Sequence, residues 1–161
     1  MKMLTAAFGL SLALAGAAVA QSGEGTPGRQ LSDLVYGSIV DDPNGAADMG
    51  EFVEFGQDIF VSMDYDDSAT VTLEEFTAWD FGFTFIADDA GQKRAFETAQ
   101  KVIFAIWDRD ADGAIDLSEY NKALVNDFRR ADTDDDAFLT REEFLSGYIV
   151  ILAYRAAILG Q

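Results

Sequence analysis

The chain has 161 residues, a net charge of −18 from 11 basic and 29 acidic side chains, and neither His nor Cys. So acidic a chain is a poor partner for nucleic acid or an anionic membrane surface, and the missing residue types exclude disulfides, hydrolytic zinc sites and the usual nucleophile–base pairs. Thirteen Phe, five Tyr and two Trp are far more apolar material than disordered acidic chains carry, so one folded domain is expected.

Residues 1–20 read as a secretory signal. Lys2 supplies a basic start, Leu4 to Val19 is almost wholly apolar, and Ala18-Val19-Ala20 precedes a cleavage point between Ala20 and Gln21. An uncleaved anchor is the alternative, but the apolar run is short and its exit is made of small residues. Cleavage would remove Lys2 and no acid, taking the net charge from −18 to −19. The location implied is periplasmic or secreted, with no membrane span left in the mature chain. Gln21 to Gln30, rich in Gly and polar residues, reads as a flexible leader, and 31–161 as the domain.

Along that domain apolar stretches alternate with acidic breaks. Helices are predicted at Leu31–Ile39, Phe52–Met63, Leu73–Ala87, Gln92–Trp107, Leu117–Ala131 and Glu142–Leu159. Phe96, Ala99, Ile103, Ile106 and Trp107 are spaced to share one helical face. No segment alternates clearly enough for a sheet, and the predicted fold class is all-α. Residues 148–154 and the group Phe81, Phe83, Phe85 and Ile86 are apolar all round, which points to buried core.

The acidic breaks repeat: DYDDSATVTLEE at 64–75, DRDADGAIDLSE at 108–119 and DTDDDAFLTREE at 132–143. Each has Asp at positions 1 and 3, an apolar residue at position 8 (Val71, Ile115, Leu139) and Glu at position 12. Phe60, Phe104 and Phe128 precede the loops by four residues; Phe76, Tyr120 and Phe144 follow the final Glu. A weaker copy, VDDPNGAADMGE at 40–51, keeps Asp42, Asn44, Gly45, Asp48 and Glu51 in register but begins with Val40. Uncompensated, so many acids would repel one another, so a cation belongs among them; the alternative is a solvated Asp/Gly turn.

These loops resemble the EF-hand, the helix–loop–helix calcium site, over about residues 40–144. The resemblance implies that Asp108, Asp110 and Asp112 each give one oxygen and Ala114 its carbonyl. Asp116 would act directly or through water, and Glu119 would clamp the ion with both oxygens. It implies the same of Asp132, Asp134, Asp136, the Phe138 carbonyl, Thr140 and Glu143, and of Asp64, Asp66, Ser68, the Thr70 carbonyl, Thr72 and Glu75. Gly113 suits the sharp chain reversal at position 6, where the other two loops carry Ala69 and Ala137. A left-handed non-Gly residue costs roughly 1–2 kcal/mol, about five- to thirtyfold in affinity. The expected affinity order is 108–119, then 132–143, then 64–75, with 40–51 lacking its first ligand, carrying Pro43 and binding nothing tightly.

Spacing predicts which loops meet. Loops starting at 40, 64, 108 and 132 leave one helix of about twelve residues, about 18 Å, between the first and second and between the third and fourth. That separates the members of each such pair. Two helices joined near Asp88–Gly91 bring 64–75 and 108–119 back to one end. Val71 is therefore expected beside Ile115 and Ala47 beside Leu139. Pairing of the first loop with the second and the third with the fourth is the alternative.

Calcium binding as a metal-stabilised scaffold or buffer is the function this implies. The alternatives are a sensor that exposes an apolar surface to a protein partner and a lanthanide-binding protein similar to lanmodulin. Asp116 at position 9 favours a trivalent ion, whereas Tyr65, Arg109 and Thr133 stand where lanmodulin has Pro. Only Met49 and Met63 follow the signal, so the Met-rich groove of adaptable sensors is missing. An enzyme is not expected: Asp80, Asp88 and Asp89 lie outside the loops without a partner motif.

Overall fold

Thr26 starts the first helix: its hydroxyl accepts from Arg29 N and Pro27 occupies the first helical turn, where a missing N–H costs nothing. The computed structural model describes residues 25–40 and 45–159. The predicted signal, its cleavage point and Asp41–Asn44 of the first loop lie outside them. Helix α1 (Pro27–Gly37) begins inside the segment read as a leader, which is therefore helical from Pro27 onward.

The described residues are mostly helical. After α1 come β1 (Ala47–Asp48), α2 (Met49–Met63), β2 (Thr70–Thr72), α3 (Leu73–Ala78) and α4 (Phe83–Asp89). Then follow α5 (Lys93–Trp107), β3 (Ala114–Asp116), α6 (Leu117–Ala131), β4 (Phe138–Leu139), α7 (Arg141–Gly147) and α8 (Ile149–Leu159). The strands are too short to leave an alternating pattern, which is why none was read from the sequence. They pair antiparallel in two separate ribbons, β2 with β3 and β1 with β4. Val71 stands opposite Ile115 and Ala47 opposite Leu139, the register that loop spacing predicts.

Two predicted helices are broken. Leu73–Ala87 stops at Ala78 because Trp79 turns extended, and α4 restarts after Gly82 at φ +107°. The Asp80 carboxylate accepts from Phe83 N (2.8 Å) and Thr84 N (2.9 Å), so this acid caps the new helix. Glu142–Leu159 breaks at Tyr148, where the backbone turns extended. The preceding Gly147 lies against Ala131, and a Cβ there would sit 2.5 Å from Ala131 Cα.

The six aromatic residues flanking the loops are all buried, and they interlock across the ribbons. Phe60, entering loop 64–75, meets Tyr120, leaving loop 108–119, with ring centroids 5.2 Å apart; Phe76 returns the exchange against Phe104 at 5.8 Å. Around the other ribbon, Phe128 meets Phe52 at 5.7 Å and Phe144 meets Tyr36 at 5.4 Å. Tyr36 and Phe52 occupy the same flanking positions around loop 40–51. The Tyr36 hydroxyl also donates to Leu139 O (2.8 Å) and Gly45 O (3.1 Å), fastening that loop to β4.

Two packing expectations need correction. On α5 the buried face is Phe96, Gln100, Ile103, Phe104 and Trp107. Ile106 is 46% exposed, because it falls about 100° around the helix from Trp107, which sits near the middle of that face. Between the halves, Phe83 is buried but Phe85 is 77% and Phe81 38% exposed. Phe83 and Phe85 both lie on α4 about 200° apart, so burying one turns the other outward, and Phe81 lies in the non-helical link before Gly82. Helix α8 packs chiefly on α5, with Ile151 and Ile158 buried and Leu152 exposed.

Candidate metal centres

Each loop starts at the end of a helix and finishes in the cap of the next. The amides of Asp64, Asp108 and Asp132 still donate to Phe60 O, Phe104 O and Phe128 O. At the far end, position 9 accepts from the amide of position 12 while the Glu side chain accepts from the amide of position 9. These reciprocal capping boxes are Thr72/Glu75, Asp116/Glu119 and Thr140/Glu143, with Asp48/Glu51 in the first loop. Position 12 is thereby fixed at a helix start, facing back toward its loop.

Between these ends the three loops share one backbone course. Position 6 is left-handed in all three: Ala69 at φ 66°, Gly113 at 95° and Ala137 at 69°. So is position 4, with Asp67 at 58°, Ala111 at 59° and Asp135 at 64°. Gly113 alone avoids the Cβ clash that this conformation imposes, whereas the alanines pay it. Turning the chain this way aims amides at the first acid: Ala69 N, Gly113 N and Ala137 N reach Asp64, Asp108 and Asp132 Oδ2 at 2.8, 3.1 and 3.1 Å.

Asp64, Asp66 and Glu75 each bring one oxygen within 4.8 Å of the others, and so do Asp108, Asp110 and Glu119. The third group is Asp132, Asp134 and Asp136, without Glu143. Asp112, which accepts from Ala114 N (3.0 Å), and Asp116, which caps α6 through Oδ1, are not part of their loop's group. Ser68 donates to Thr70 O (3.1 Å), and Thr72 and Thr140 are engaged in their caps. The position-7 residues Thr70, Ala114 and Phe138 begin the short strands.

The electrostatics of these groups are unfavourable as they stand. Two unit charges about 4 Å apart repel by about 4 kcal/mol at an effective dielectric constant of 20. Moreover Glu75 Oε1 and Asp108 Oδ1 are buried and have no hydrogen-bond partner. A stranded polar atom costs about 1–3 kcal/mol, and more when charged. Oxygen-only donors with two such atoms fit a hard cation such as calcium. Asp64, Asp66, Glu75 and Asp108, Asp110, Glu119 would hold it, and it would supply the positive charge that gathers these acids.

Glu143 differs. Burial works against its charge, but hydrogen bonds from Thr140 and Thr133 outweigh this and hold its carboxyl down to about 2. Asp127, on α6 outside the loops, shows the opposite balance: burial pushes it up to about 6 despite Arg130 and the Trp107 indole. Asp80 borders a cavity of about 60 Å³ among Phe52, Met63, Trp107 and Tyr148.

Sequence reading missed Tyr36 and Phe52, although both stand at the repeat's flanking positions. It also missed position 4, whose left-handed turn has no side-chain signature. No family model, curated protein or solved structure matches the chain. Among the described residues no helix is long and apolar enough to cross a membrane.

Proposed function

We propose that the chain is an EF-hand-type protein whose loops 64–75, 108–119 and 132–143 bind calcium, and that it works as a metal-stabilised scaffold or buffer. The observation that carries this reading is Glu75 Oε1, buried without a partner beside two other carboxylates. A merely solvated acidic turn would point that oxygen at water, whereas a bound cation would supply the partner it lacks. The shared left-handed turns at positions 4 and 6 and the shared capping boxes support a common purpose for all three loops.

The scaffold role draws support from the core. Aromatic rings from both sides of each ribbon interlock in one continuous core, packing that suits a scaffold which moves little on binding. If residues 1–20 direct export, the chain would meet abundant calcium, so sites of about 10⁻⁴–10⁻³ M would fill. Trivalent lanthanides are the second reading, favoured by the five acids of loop 108–119.

Calorimetric titration of the mature chain tests both readings. Calcium should bind in the range up to about 10⁻³ M, and Glu75→Gln should remove one site. Competition with terbium, whose emission Trp107 beside Asp108 can sensitise, ranks the two ions. Absence of calcium binding across that range would refute the calcium reading.

A further inference from the structure

We propose that Thr133 is a positioning residue that keeps Glu143 out of the carboxylate group of loop 132–143, making this the last of the three loops to take a cation. The inference rests on the cation-binding reading above and concerns how the sites are graded. It starts from one contrast: Glu75 and Glu119 join the acids of their loops and Glu143 does not.

Hydrogen bonding explains the contrast. Glu143 Oε1 accepts from Thr133 N (2.9 Å) and Thr133 Oγ1 (3.0 Å), while Oε2 accepts from Thr140 N (3.0 Å) and Thr140 Oγ1 (2.8 Å). A carboxylate oxygen has two lone pairs, so four donors saturate this side chain. Glu75 is the natural control. Its Oε2 accepts from Thr72 N and Thr72 Oγ1, both at 2.8 Å, matching what Thr140 does for Glu143. Its Oε1, however, has no partner, and the residue is 2% exposed.

Loops 64–75 and 132–143 share Ala at position 6 and Thr at position 9, so neither position distinguishes them. Position 2 does: Tyr65 extends into solvent, whereas Thr133 turns a hydroxyl onto the Glu. Glu119 takes three backbone donors, Arg109 N at 2.8 Å and Asp110 N at 3.3 Å on Oε1 and Asp116 N at 3.1 Å on Oε2, but no side-chain hydroxyl, so it keeps acceptor capacity that Glu143 lacks. A cation entering loop 132–143 must therefore displace donors from Glu143, while one entering 64–75 meets a buried oxygen with nothing to give up. This reverses the order of these two loops expected from ligand identity. The β2–β3 ribbon further ties 64–75 to 108–119, so these two load ahead of 132–143.

Amide resonances of the position-6 residues Ala69, Gly113 and Ala137 report the loops separately in a calcium titration of the mature chain followed by NMR. Ala69 and Gly113 should shift first and Ala137 at higher calcium. Thr133→Val should lower the Ala137 midpoint by about tenfold, the loss of one hydrogen bond to a charged group, and leave the other two midpoints alone. Thr133→Ser keeps the donor and should behave as wild type. Ala137 moving with or before Ala69 in the wild type overturns the proposal without any variant. So does a Thr133→Val midpoint that stays put or rises. If none of the three amides moves at any calcium concentration, the cation-binding reading itself falls, an outcome distinct from a wrong order.

Discussion

Asp127 offers a test of the core that is independent of any metal. It is 2% exposed, accepts from Trp107 Nε1 at 3.2 Å and pairs with the half-exposed Arg130 at 3.1 Å. Burial raises its carboxyl from 3.8 to about 6. The folded value lies above the unfolded one, so the protonated side chain stabilises the fold. That contribution is complete below pH about 4 and lost as pH rises through 6. Two units at 1.36 kcal/mol each give about 3 kcal/mol as the penalty of holding the charge at neutral pH. Asp127→Asn removes the charge and keeps an oxygen for the indole. Urea unfolding in chelator, followed by tryptophan fluorescence from pH 4 to 8, measures both proteins. Relative to wild type, the Asn variant should gain up to about 3 kcal/mol between the acid and neutral ends. Stability curves that stay parallel across this range would show that Asp127 titrates as an ordinary carboxylate and refute the reasoning.

Three further outcomes are expected. Calcium at about 100-fold over its dissociation constant should stabilise the fold by about 2.7 kcal/mol per site, visible as a rise in Tm that chelator reverses; an unchanged melting curve contradicts the metal-stabilised scaffold. Ile115→Ala, at a fully buried ribbon position opposite Val71, should cost about 2–5 kcal/mol in urea denaturation and weaken binding in both joined loops, and a loss confined to loop 108–119 would deny the coupling. Gly147→Ala places a methyl 2.5 Å from the Ala131 backbone and should cost about 1–3 kcal/mol by overpacking; wild-type stability would mean that α7 can shift freely.

What could be read from the sequence was whatever repeats or follows from distance along the chain. Loop intervals predicted the ribbons to the residue, because a helix of fixed rise leaves few places for its ends. Asp64, Asp66, Glu75 and Asp108, Asp110, Glu119 converge because the spacing that suggested them also sets the backbone turns. Helix ends and phase were less legible. The predicted helices break at Trp79 and Tyr148, where the backbone turns extended, and an aromatic residue carries no stop signal in sequence. Ile106 and Phe85 looked like core because apolar identity does not say which arc of a helix faces its neighbours. The engagement of Glu143 was hidden for a similar reason: Thr133 is an unremarkable loop residue until its hydroxyl is seen on the carboxylate.

The crossed pairing of the loops has a consequence for how the chain could be divided. Helix α2 runs from the first loop to the second and α6 from the third to the fourth, and these two rods, each about 22 Å long, lie against one another. A cut at Gly91 would leave each fragment with one strand of each ribbon and half of every aromatic exchange. Unlike a protein made of two self-sufficient lobes, neither fragment would inherit a finished unit. The severed pieces should be largely unstructured alone and recover the native signal only when mixed.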